Sequence, residues 1–148
     1  NLFEEIYIKD IINRYKIHST DEFKELINIL ASSIGSLTNP TKLEKVFKSV
    51  NHLSISANTI STFIEYLEDA FIVYKTQRYD IKGKSHIDSP FKYYFSDLGL
   101  RNARLNFRQL EETHILENII YNELLYRGYS VDVGVVSTYA QSKEDSSR

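Results

Sequence analysis

The residues best equipped for chemistry gather in one short stretch. Between Lys75 and Lys92 stand five cations, Lys75, Arg78, Lys82, Lys84 and Lys92, against two anions, Asp80 and Asp88. That stretch is +3, and since the whole chain is −2, the remainder carries −5. Tyr79, Tyr93 and Tyr94 are interleaved with the cations. A basic, aromatic hairpin can grip a phosphate backbone without reading its sequence, because the attraction acts on charge alone. The same lysines have a structural use, since cations on a strand edge discourage pairing with another chain. Both readings stay open.

A second group is acidic. Glu117 and Glu123 lie six residues apart in a segment of helical pattern, and Asp132 follows on a strand. One carboxylate cannot hold a hard cation against its hydration shell; two or three must converge, with a lysine beside them. Asp132 has no lysine in sequence reach, and Lys143 and Glu144 fall in the polar tail. His18, His52, His86 and His114 show no i, i+4 spacing with another ligand and no H-E-x-x-H, so a metal site is not expected and surface positions at loops and helix ends are. Asp97-Leu98-Gly99-Leu100-Arg101 reads as a helix cap, a tight turn and an ion-pairing arginine.

The elements that position these groups follow from composition and periodicity. The chain of 148 residues is 42% hydrophobic and 26% charged, an ordinary globular balance, long enough for a core without staples. It has no cysteine, which excludes disulfides, thiolate chemistry and cysteine metal centres. No apolar run approaches the roughly 20 residues of a membrane span and no signal-peptide pattern is present, so a cytoplasmic protein without membrane contact is expected. Five glycines and two prolines point to helix-rich structure, and the lack of any methionine points to a fragment or a processed product.

Asn1 to Arg14 reads as a helix with Leu2, Ile6, Ile8 and Ile12 apolar. Ser19 to Gly35 carries the stripe Phe23, Leu26, Ile27, Leu30 and Ile34, with Ser19 and Glu22 as a capping box and Gly35 as a C-cap. Asn39-Pro40 opens a third helix with Leu43, Val46, Phe47 and Val50 inward. After a connection over Asn51–Ile55, Ser56 caps a fourth with Ile60, Phe63, Ile64, Leu67 and Phe71. The pattern then turns to β: a strand over Ile72–Asp80, a turn at Lys82-Gly83-Lys84 and a strand over Phe91–Phe95. A long helix over about Gln109–Arg127 is lined by Leu116, Ile119, Ile120, Leu124 and Leu125, and a strand over Tyr129–Val136 precedes a disordered tail. The third and fourth helices match a helix-turn-helix, and the following ribbon makes it a winged helix.

Several stretches in this order resemble one family: Leu2–Ile17, Ala31–Gly35, Asn58–Lys84, Lys92–Ala103 and Leu116–Gly134. Together they look like the C-terminal region, DUF4143, of P-loop ATPases with an AAA+-type core. The resemblance implies an ATPase module, then a winged helix, then a domain similar to the PD-(D/E)XK nuclease fold. It makes Glu117 and Glu123 vestigial nuclease-like residues, and it implies ATP and Mg²⁺ only for the parent family. Two features depart from that pattern. No G-x-x-x-x-G-K-[ST] is present, so this chain has no phosphate cradle and holds no cofactor of its own. The E-[IV]-D-F strand that follows in the family is replaced after Gly134 by VVSTYAQSKEDSSR.

The expected fold is therefore α+β and mostly helical. Residues 1–35 are a helical remnant of the ATPase module, 36–97 a winged helix, 98–136 a truncated nuclease-like segment and 137–148 a disordered tail. The expected function is non-catalytic: weak nucleic-acid contact through Lys75, Arg78, Lys82, Lys84 and Lys92, or contact with the missing ATPase module. Against nucleic acid, Ser49 to Tyr74 contains no Lys or Arg, and Asn58, Ser61, Thr62, Glu65, Glu68 and Asp69 form the solvent face of the candidate reading helix. The alternatives are a homodimeric interaction module, formed through the long helix and a strand lacking a sheet of its own, and a residual metal-dependent nuclease.

Overall fold

Helical periodicity accounts for the first half of the chain. The computed structural model describes residues 2–50, 54–108 and 112–136, with the side chains of 2–5 and 50 left aside. Helix α1 (Leu2–Arg14) buries Ile8 and Ile11; Ile6, expected inward, is exposed, because Ile8 and Ile11 are the i, i+3 pair that shares the core-facing side. Helix α2 (Thr20–Ser32) buries Phe23, Leu26, Ile27 and Leu30. Ser19 occupies its N-cap without a side-chain hydrogen bond, so the expected capping box with Glu22 does not form.

Helix α3 (Pro40–Val50) starts as expected: the Asn39 Oδ1 accepts from the Lys42 N–H at 2.8 Å, and Leu43 and Phe47 are buried. Helix α4 (Ala57–Asp69) is capped by Ser56, whose Oγ accepts from the Thr59 N–H at 3.2 Å. Ile60, Phe63, Ile64 and Leu67 face inward. Phe71, expected to continue that stripe, lies beyond the helix end at φ +54° with its ring exposed. Residues 51–53 of the expected connection over Asn51–Ile55, the start of the long helix at 109–111 and the tail at 137–148 fall outside the described residues.

The second half is a small mixed sheet with helices around it: β1 (Val73–Asp80), β2 (Ser85–Phe95), α5 (Leu98–Arg104), α6 (Glu112–Tyr126) and β3 (Val133–Val135). Among the described residues the fold is α+β, with six helices and one three-stranded sheet of order β2-β1-β3. Strand β2 begins earlier than expected because Ser85, His86 and Ile87 pair with Asp80, Tyr79 and Arg78 right after the turn. Strand β3 does not lack a sheet. It pairs in parallel with β1, with Arg78 opposite Val133 and Asp80 opposite Val135. The expected homodimer loses the part of its rationale that rested on an unpaired strand.

Alternation along β1 and β2 assigns the two sheet faces. Val73, Tyr93 and Phe95 join one core with Phe23, Phe47 and Phe63 of the helices. Tyr74 and Tyr94, opposite each other in register, turn to the other face and meet Tyr121 of α6. The outer edge of β2 is also closed. The Phe91 N–H and C=O pair with Thr38 at 2.9 Å each, and Gly35, at φ +67°, donates its N–H to the Tyr93 carbonyl at 3.1 Å. At Phe95 the partner is a side chain: Asn118 Oδ1 accepts from its N–H and Asn118 Nδ2 donates to its C=O, both at 2.8 Å. An amide supplies one acceptor and one donor, so it can replace a neighbouring strand at a single residue.

Asn118→Leu should therefore destabilise the fold by about 2 kcal/mol or more, since it leaves a buried backbone N–H without a partner. Urea unfolding measures the loss, and hydrogen exchange should show α6 losing protection first.

Candidate functional site

The five hairpin cations sit in different surroundings. Lys92 is drawn beneath α6, where its ammonium contacts Glu117 Oε1 at 2.7 Å. Lys75 lies 4.9 Å over the Phe91 ring and beside Glu68, whose carboxyl burial raises and the Lys75 charge lowers in part. Arg78 is half-buried, and its buried Nε has no hydrogen-bond partner among the described residues. Lys82 and Lys84 are exposed in the turn, where Asp80 Oδ1 accepts from the Lys82 N–H at 3.0 Å. His86, expected in a loop, sits in β2 with its ring edge-on to Tyr79 and its Nε2 3.1 Å from Asp132.

Glu117 is where three elements meet. Lys92 and the Tyr94 hydroxyl both donate to its Oε1, at 2.7 and 2.5 Å. The backbone of Gly35 lies so close that a Cβ there would sit 3.4 Å from the carboxylate. Burial pushes the Glu117 carboxyl up, but the hydrogen bonds from Lys92 and Tyr94 and the Lys92 charge outweigh it and leave the group below its ordinary range. Tyr94 is pushed well above the usual phenol range, by burial first and then by its bond to Glu117. Its ring stacks on Tyr121 with centroids 4.2 Å apart. Glu123 lies about 120° around the helix from Glu117. It pairs with Arg127 at 2.7 Å, so the two carboxylates do not converge. Among the described residues no cluster of three His, Asp or Glu is placed to hold a metal.

Helix α6 is inside out for a surface helix. Its inward side carries Asn118, Tyr121 and Asn122, the last donating to the Phe95 and Ser96 carbonyls at 2.9 and 3.1 Å. Leu116, Ile119 and Ile120, expected to line the interior, are 56%, 48% and 51% exposed. The reason is that the sheet offers α6 open backbone groups and tyrosine hydroxyls, which take amides and a carboxylate in preference to isoleucine. A groove of about 660 Å³ runs beside the exposed stripe, lined by Leu98, Ile119, Glu123, Leu125 and Tyr126. A separate cleft of about 610 Å³ lies between α1 and α5, bordered by Tyr7, Phe71, Leu100 and Phe107.

Asp97 caps α5 as expected, accepting from the N–H groups of Gly99 and Leu100 at 2.6 and 3.3 Å. Arg101 is 1% exposed and donates from Nε to the Ala31 carbonyl at 2.8 Å, tying α5 to α2. His18 is exposed, His114 half-buried in α6, and His52 falls outside the described residues. Sequence reasoning missed Asn118, Asn122 and Tyr121. The available signal was a pair of asparagines at i, i+4 inside an otherwise apolar helix.

A family model for a domain of unknown function, DUF8612, matches residues 1–111 of the 148. An uncharacterized protein of Haemophilus influenzae is 39% identical over 133 residues, covering 90% of this chain and 33% of its own length. Uncharacterized protein MJ1544 of Methanocaldococcus jannaschii is 31% identical over 124 residues, covering 84% of this chain and 27% of its own. The chain thus spans a third or less of these relatives. No solved structure matches it. These findings overturn the resemblance to DUF4143 and AAA+-type ATPases: the matching family is a different one, and the relatives' names carry no ATPase. The five stretches that carried it are helix, strand and turn patterns, which many α+β chains share, and none holds a motif that one chemistry alone requires. No helix of the described residues is long and apolar enough to cross a membrane.

Glu117→Gln should remove a stabilising term with a defined pH window. A carboxyl whose folded pKa is lowered contributes fully above its unfolded value, here 4.5, and loses that contribution as pH falls through the lowered folded value. Melting temperatures of the two proteins should differ at neutral pH and converge in acid; a constant difference at every pH would refute the assignment.

Proposed function

The chain belongs to the DUF8612 family, and from that premise we propose that it is a non-catalytic interaction module that docks protein in preference to nucleic acid. The order α2, α3, α4, β1, β2 supports reading its core as a winged helix. The antiparallel bridge of Thr38 to Phe91 adds a short third partner to the hairpin, between α2 and α3.

In a nucleic-acid-binding winged helix α4 would face phosphate, yet its exposed residues include Glu65 and Asp69, whose charge opposes that contact. The hairpin has also committed one of its five cations to an ion pair, Lys92 on Glu117. The observation that carries the reading is the stripe of Leu116, Ile119 and Ile120 left in solvent while the polar side of α6 is buried. Contiguous exposed apolar surface of this kind marks protein contact sites. The specific observation favouring a second reading, phosphate contact by Arg78, Lys82 and Lys84, is the exposure of Lys82 and Lys84 together at the turn of the hairpin.

Two measurements decide. Leu116→Gln, Ile119→Gln and Ile120→Gln together, at about 1 μM protein, should leave unfolding stability within about 0.5 kcal/mol per site, as for surface positions. A loss of several kcal/mol would make the stripe an internal packing surface and sink the docking reading. Fluorescence anisotropy with a random duplex at low and moderate salt should show no steep salt dependence. A slope near −0.9 per phosphate, lost in Arg78→Glu, Lys82→Glu, Lys84→Glu, would favour the second reading.

A further inference from the structure

We propose that the occupant of the outward α6 face is a second copy of this chain, docked as an antiparallel α6–α6 pair about a two-fold axis between Ile119 and Ile120. This rests on the docking reading above and names its partner. The outward stripe runs Glu112, Leu116, Ile119, Ile120, Glu123, Arg127, which are helix neighbours three to four residues apart. Glu112 and Arg127 are equidistant from the point between Ile119 and Ile120, and both are exposed. An antiparallel copy therefore lays the Glu112 carboxylate of one chain beside the guanidinium of the other, twice, with the helix dipoles opposed. A parallel copy would set like charge on like.

Arg127 already holds Glu123 through Nε at 2.7 Å, and a guanidinium has further N–H groups for a second carboxylate. At the centre, Ile119 and Ile120 meet their symmetry mates. The groove beside Ile119, lined by Leu98, Leu125 and Tyr126, is a slot for the partner's ridge. The other candidate surfaces fit less well. A membrane-surface helix sets Lys and Arg around its apolar face, whereas this stripe carries Glu112 and Glu123 against Arg127 alone. The same two carboxylates argue against phosphate.

Helix α6 is about 22 Å long. A contact of this length falls below the roughly 800 Å² per partner of tight interfaces, so the dimer should dissociate within the micromolar range.

Size-exclusion chromatography with light scattering, over about 1 to 200 μM, tests the proposal. The mass should climb from 17.3 kDa towards twice that value. Ile119→Glu, Ile120→Glu should weaken association at least tenfold. Glu112→Arg should weaken it several-fold, and Glu112→Arg, Arg127→Glu should restore it. A monomer throughout, or a dimer indifferent to the isoleucine substitutions, overturns the proposal; failed restoration overturns the antiparallel register. A monomer whose glutamine variant stays fully stable leaves the docking reading intact with a different partner, whereas an unfolded glutamine variant removes the reading itself.

Discussion

The edge of β2 must be closed, and the way it is closed sets the arrangement of everything C-terminal to it. An edge strand presents N–H and C=O groups that need partners once they are buried. Thr38 serves Phe91, Gly35 serves Tyr93 and the Asn118 amide serves Phe95. The first two come from the connection between α2 and α3, which places that loop against the hairpin. The third comes from α6 and fixes both the position of that helix along the sheet and its rotation about its own axis.

That rotation has consequences in two directions. Inward, it brings Glu117 over Lys92 and Tyr94, and Tyr121 onto Tyr94, so a polar and aromatic layer replaces the aliphatic one expected of a helix on a sheet. Outward, it turns Leu116, Ile119 and Ile120 into solvent. A helix apolar on one side and occupied by polar contacts on the other has the character of a middle layer. The docking proposal rests on this inversion.

Electrostatics are rearranged by the same contact. The hairpin is +3 as a string of letters. In three dimensions one lysine neutralises a carboxylate under α6, another covers an aromatic ring, and Asp132 comes alongside His86. Lys82 and Lys84 stay exposed at the turn.

Periodicity alone determined the helices and their inward faces where one side is uniformly apolar, as in α2 and α4, because burying such a stripe dominates every local alternative. Turn chemistry was equally legible at Asn39-Pro40, Ser56 and Asp97, where the cap is made by neighbours in the chain. Neither signal reaches across the molecule. The pairing of β3 with β1, the meeting of Lys92 with Glu117, and the outward turn of the α6 stripe join residues twenty or more positions apart. In α6 both sides are apolar enough to read as core, so the pattern could not choose between them. The choice was made by the backbone N–H and carbonyl of Phe95, which Asn118 pairs with and Asn122 supports at the carbonyl, since an unpaired buried peptide group costs more than an exposed isoleucine.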